Sequence, residues 1–144
     1  MPRNPDFESA TRSLFTRAAF VNHLGIALGA IGEGSCETAL FVEPRHLQQD
    51  GFVHAGVLAT LADHTAGGAA FTLLEQGQGV LTVEFKINLL RAARGERLVC
   101  RAQVLKPGRS LSVAEAEVWS QGAPDAQAPQ LAAKATVTLA IVAA

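Results

Sequence analysis

The chain lacks a dominant charge, a metal-ligand spacing and a membrane-length apolar run, and each absence narrows what it can do. Twelve Lys and Arg stand against thirteen Asp and Glu, a formal net charge of -1. No global positive field therefore exists to draw it to nucleic acid. The two cysteines, Cys36 and Cys100, lie far apart and form no CxxC or zinc pattern, so no metal is expected. They suit a reduced intracellular chain better than a disulfide-stapled secreted one. The first residues, MPRNPDFESATRSLF, carry acids and no continuous apolar stretch, so no signal peptide is expected. The most apolar segment, Leu58 to Leu74, is interrupted by Asp63, His64, Gly67 and Gly68 and is too polar to span a bilayer. A cytoplasmic protein with neither membrane nor nucleic-acid partners is the expectation.

What is present is an apolar content of 49% with 17% charged residues over 144 positions, enough for one domain, 1–144, with a buried core. Ser9 reads as the cap of a short N-terminal helix at about 8–20, with Leu14, Phe15 and Ala18 on one face. The run LGIALGAIGEGSCETALFVEP predicts a hairpin turning at Gly32-Glu33-Gly34. Pro44 to Gly51 reads as a loop. Residues 55–75 are apolar on every side, which predicts a long helix buried on most of its faces and stopped near Gly77.

After that helix the period changes to two. Leu81, Val83, Phe85, Ile87 and Leu89 alternate with Thr82, Glu84, Lys86 and Asn88, predicting a strand with one half-buried face and one wet face. Further strands are expected at 97–106, 110–120 and 131–142, with a loop at 121–130. Five or six antiparallel strands need an apolar cover, and one long helix is available. The fold class is α+β, a curved antiparallel sheet wrapped around one long central helix.

The chemistry concentrates at that helix. If it begins at Ala55-Gly56, its first amides have no intrahelical partner and can bind an oxyanion. Small residues there let a carbonyl approach the backbone. Asp63 lies two turns further along, with no Lys or Arg anywhere between Arg45 and Lys86. Such a carboxylate either finds donors, with Thr60 and Thr65 as near candidates in a structural role, or acts as a nucleophile or general base. His54 and Asp63 are nine apart, not a helical metal-ligand spacing. Seven of the Lys and Arg residues fall between Lys86 and Arg109 with Glu96 the sole acid. They read either as solvated strand ends or as a basic rim for phosphates.

The segment GFVHAGVLATLAD resembles the G-x-x-H-G-G-x-x-x-x-L-x-D signature of hotdog-fold acyl-CoA thioesterases of the phenylacetate-pathway (PaaI) type. The runs NHLGIALGAIGEG, LTVEFKINLLRAARG and VLKPGRSLSVAEAEV agree, so the resemblance covers about residues 20–142. It implies a hotdog fold, a homodimer or dimer of dimers joined edge to edge, and active sites shared between subunits. It implies hydrolysis of an acyl-CoA to free acid and coenzyme A without any further cofactor. The residue after the histidine, Ala55, would offer its amide to the thioester carbonyl, with His54 shaping the loop and Asp63 of the partner acting as nucleophile or base. Gln48 would orient the nucleophile or water and Thr82 would help hold it. Gly56, Asn88, Arg91, Arg94 and Arg109 are the expected substrate-binding residues. Ala55 departs from the family's glycine, which is harmless only if its φ is negative. A hotdog hydratase or dehydratase and a non-catalytic acyl-CoA-binding protein are the alternatives.

Overall fold

A computed structural model of the protein describes residues 3–144. In chain order its elements are α1 (Phe7–Thr16), α2 (Ala19–Leu24), β1 (Ala27–Gly32), β2 (Ser35–Phe41), a 3-10 turn (Pro44–His46), α3 (Ala55–Phe71), β3 (Gln78–Leu89), β4 (Arg97–Lys106), β5 (Leu111–Gln121) and β6 (Gln130–Ala143). The six strands form one antiparallel sheet in the order β1-β2-β4-β5-β6-β3. Helix α3 packs on one face of that sheet, as its all-round apolarity requires. Leu58, Leu61, Ala62, Ala66 and Ala69 are buried against Leu40, Leu98, Ala114, Val118, Val137 and Leu139. Leu61 is 0% exposed, so truncation to alanine costs about 2–5 kcal/mol.

Small residues let the helix approach closely. A Cβ added to Gly68 would stand 2.9 Å from the Phe15 ring and 3.0 Å from Cys36 Sγ. The polar groups beneath α3 pair with each other, Thr38 and Thr65 sharing a 2.7 Å hydroxyl hydrogen bond. Burial pushes the Cys36 and Cys100 thiols up to about 12, so both stay protonated and unreactive at neutral pH.

Three sequence expectations change. The single N-terminal helix at 8–20 is two helices, and Ser9 caps neither: Asp6 precedes α1 without a side-chain bond. The break follows from Asn22, whose amide donates to the carbonyls of Phe15 and Thr16 and so ends α1 by capture of its last acceptors. Helix α3 stops at Phe71 instead of 75. There Thr72 donates to the Ala69 carbonyl and accepts the Gly34 N–H of the β1–β2 turn, which pins the helix end to the hairpin.

The third change concerns β3. It is an edge strand, and Leu81, Val83, Phe85 and Leu89 are 40–63% exposed, so the face expected to be half-buried is open. The alternation is also broken. Thr82 pairs with Leu139 but Glu84 pairs with Thr138, leaving Val83 as an extra residue, a β-bulge. Cross-strand partners share a face, and Leu139, Val137 and Ala135 are buried on the helix side. Thr82, Phe85 and Ile87 therefore face α3, while Leu81 and Glu84 face away.

Candidate active site

The site begins with the donors at the start of α3. His54 has extended backbone, φ -61 and ψ 138, and its carbonyl accepts from Val57 N–H at 2.9 Å and from Leu58 N–H at 3.4 Å. Its ring Nδ1 accepts the Gly56 N–H at 2.8 Å, so Nε2 is the nitrogen that carries a proton. Of the four amides a helix start leaves over, only that of Ala55 has no hydrogen-bond partner among the described residues. No non-glycine residue has a positive φ there either. Alanine in place of glycine is thus unstrained at this position, and the N–H survives.

The approach loop is held by its own polar groups. Gln48 Oε1 accepts from Asp50 N–H at 2.6 Å and Phe52 N–H at 3.1 Å. Backbone donors settle which end of that amide is oxygen, and the NH2 end is left without a partner among the described residues. His46, fully buried, accepts Glu43 N–H on Nδ1, donates from Nε2 to the Leu24 carbonyl, and receives His54 N–H on its own carbonyl. This histidine, absent from the sequence reading, fixes the loop that delivers Gln48 and Ala55. Gln48, Ala55 and Arg91 share a cleft of about 240 Å³ with Phe52 and Leu89.

Asp63 stands apart from this group. It lies eight residues beyond Ala55, about 12 Å along the helix axis. Its Oδ1 accepts the Thr82 hydroxyl at 2.6 Å, and its other oxygen has no hydrogen-bond partner among the described residues. Thr60 and Thr65 do not serve it: Thr60 bonds the Gly56 carbonyl and Thr65 bonds Thr38. The Val83 bulge is what turns Thr82 toward the carboxylate. Asp63 opens into a second cleft, about 400 Å³, with Phe20, Val21, His64 and Phe85.

The His64 ring lines that cleft and packs edge-on against Phe15, centroids 4.5 Å apart. Burial lowers its pKa against the opposing pull of the Asp63 carboxylate. Its Nε2 is buried without a partner among the described residues. Phe20 and Val21 were also missed, because the break between α1 and α2 that brings them here leaves no periodic signal. Phe85 lines the cleft, whereas Leu61 lies in the core.

The basic residues do not form one rim on a single chain. Arg91 lies beside Ala55. Arg94 reaches Asp125 at 3.9 Å, in a cleft that also holds Asp50 and Glu96. Arg101 pairs with Glu37 at 3.4 Å. Arg109 is exposed in the β4–β5 turn, the length of β4 away from Arg94, about 30 Å. Asn88 is exposed and pairs in register with Lys134 on the face away from α3.

Comparison with known proteins gives a consistent set of likenesses. Residues 50–126 match the model of the thioesterase superfamily. A crystal structure of a thioesterase family protein from Silicibacter pomeroyi superposes with a TM-score of 0.91 at 37% identity, covering 96% of this chain and 99% of that one. A thioesterase from Haemophilus influenzae superposes with a TM-score of 0.79 at 28% identity, covering 91% and 87% of the two chains. Acyl-coenzyme A thioesterase 13 of Mus musculus is 32% identical over 81 residues, 56% of this chain and 57% of that protein. Among the described residues no helix is long and apolar enough to cross a membrane.

Proposed function

The chain belongs to the thioesterase superfamily, as a hotdog-fold member of the PaaI type, and from that premise we propose that it hydrolyses an acyl-CoA thioester in sites built jointly by two subunits. The observation that carries this reading is the unpaired Ala55 N–H, at the mouth of a cleft that also holds the free amide of Gln48 and the cation of Arg91. An amide so placed stabilises a thioester oxyanion by about 3 kcal/mol. Arg91 suits a phosphate of the coenzyme.

The carboxylate completing the site is Asp63 of the partner subunit. Asp63 and Ala55 of one chain stand about 12 Å apart, too far to act on one carbonyl, where contact near 3 Å is needed. The open apolar edge of β3, between the two half-sites, supports pairing with a second copy. In such a pair the Ala55 half brings Arg91. Asp63 attacks the carbonyl carbon or deprotonates the water that does so. The carbon–sulfur bond then breaks and the thiolate takes up a proton; where Asp63 is the nucleophile, water then hydrolyses the acyl-aspartyl anhydride, and on either route the acid is released. Thr82 holds Asp63 in place, and Gln48 orients the attacking group. The acyl-CoA class of substrate is supported by the likeness to acyl-coenzyme A thioesterase 13.

The test is complementation between two disabled chains. Asp63→Asn and Ala55→Pro proteins should each be nearly inactive in a thiol-release assay. Co-expressed, they form mixed dimers in which one of the two sites has both intact halves, so activity should return to about a quarter of wild type. No recovery in mixed dimers would place both halves within one chain and end the shared-site reading.

A further inference from the structure

The two clefts differ in what they can hold, and that difference gives the substrate a direction. The cleft beside Ala55 carries Gln48 and the Arg91 cation. The cleft beside Asp63 contains no cation and is walled by α2, α3 and β3. Resting on the thioesterase reading, the coenzyme arm belongs with the cation, and the acyl chain, which lies on the other side of the carbonyl carbon from the sulfur, belongs in the remaining, Asp63 cleft.

One wall of that cleft is Phe20, which is 64% exposed. Its own chain does not cover the ring, so apolar area remains for a ligand to cover, at about 25 cal/mol per Å². The wall is nevertheless held firmly. Asn22 donates to the end of α1, Gly25 closes α2 in a left-handed conformation, and His46 donates to the Leu24 carbonyl at 2.7 Å. Across the cleft stand Phe85 of β3 and the His64 ring of α3, the latter braced by Phe15. A ring fixed on a braced helix limits how far an acyl chain can extend. Helix α2 also lies outside residues 50–126, the part that matches the family model.

We infer that Phe20 is the acyl-length determinant, admitting compact acyl groups and turning back long unbranched ones. Selectivity is thus carried by a different stretch of chain from the one that carries the chemistry.

The experiment compares kcat/KM for benzoyl-CoA and decanoyl-CoA in wild type, Phe20→Ala and Phe41→Ala. Phe41 is 72% exposed and stacks under Arg97 on β2, so it controls for loss of a surface aromatic. The decanoyl-to-benzoyl ratio should rise at least about tenfold in Phe20→Ala and stay at the wild-type value in Phe41→Ala. An unchanged ratio in Phe20→Ala, or an equal rise in Phe41→Ala, overturns the assignment. The same ratio taken from calorimetric Kd values in an Asp63→Asn background reads the wall without the chemistry. Shifted binding selectivity alongside a wild-type chain that hydrolyses neither thioester would overturn the thioesterase reading and leave the wall standing. Unshifted binding selectivity would overturn the wall alone.

Discussion

The first and third turns of α3 put two different kinds of chemistry on one helix. In the first turn the working group we propose is the Ala55 amide, which every residue except proline supplies. In the third turn it is the Asp63 carboxylate, which only a carboxylate side chain supplies. A backbone group tolerates side-chain change as long as φ stays negative, and Ala55 satisfies that condition. A side-chain group tolerates almost none, and it needs a second residue, Thr82, to hold it. The two turns should therefore respond to mutation in opposite ways.

The largest effect is expected at the carboxylate. Asp63→Asn keeps an oxygen that can accept the Thr82 hydroxyl, so thermal melting should stay near wild type. Loss of the charge should lower kcat by about 10²–10⁴-fold. A stable variant with wild-type kcat would remove Asp63 from the mechanism. The mirror-image change in the first turn is Ala55→Pro. Proline is well tolerated at the first helical position, and His54 already has the extended backbone that a following proline demands. The fold should persist while kcat drops by about 10²–10³-fold through loss of one oxyanion donor. Unchanged turnover would dissolve the contrast, because the backbone would then have no role.

Smaller changes sharpen the comparison. Thr82→Val removes a hydrogen bond to a charged group, worth about 1.5 kcal/mol or more, so kcat should fall roughly tenfold with KM little changed. His64 supplies a stability test. Burial depresses its pKa in the folded chain below the ordinary value of 6.5, so below that pH the unfolded state binds the proton more readily. Melting temperature should decline as pH falls through and below 6.5, and His64→Phe should flatten that decline in a pH series. The smallest effect is reserved for Ala55→Gly. It restores the residue usual in the signature yet leaves the amide where it is, so kcat/KM should stay within about twofold.

Much of this was legible from residue order. The long helix starting at Ala55, the hairpin turning at Gly32-Glu33-Gly34 and the strands expected at 97–106 and 110–120, observed at 97–106 and 111–121, follow from period and turn chemistry alone. Asp63 stood out because a carboxyl on an apolar helix has few reasons to be there. What could not be read is what depends on distant partners. The Asn22 amide splits the N-terminal helix by reaching carbonyls six and seven residues back. His46 takes its importance from Leu24 and His54, neither of which is near it in sequence. The run of basic residues from Lys86 to Arg109 looked like a single patch because sequence proximity hides the length of β4, which carries its two ends apart.

The bulge at Val83 has the effect of a frameshift inside a strand. Upstream of it the even-numbered residues face the helix; downstream the odd-numbered ones do. A substitution scan along β3 should change phase at this point, with even positions constrained before it and odd positions after. Removing Val83 leaves the inward set of Thr82, Phe85 and Ile87 intact, since Thr82 and Glu84 already occupy consecutive rungs of the ladder. A position where a strand can lose a residue without inverting its faces is rare. Here it lies one residue from the hydroxyl that holds the carboxylate, so homologous chains can differ in length in the middle of this strand and still agree on which residue meets Asp63.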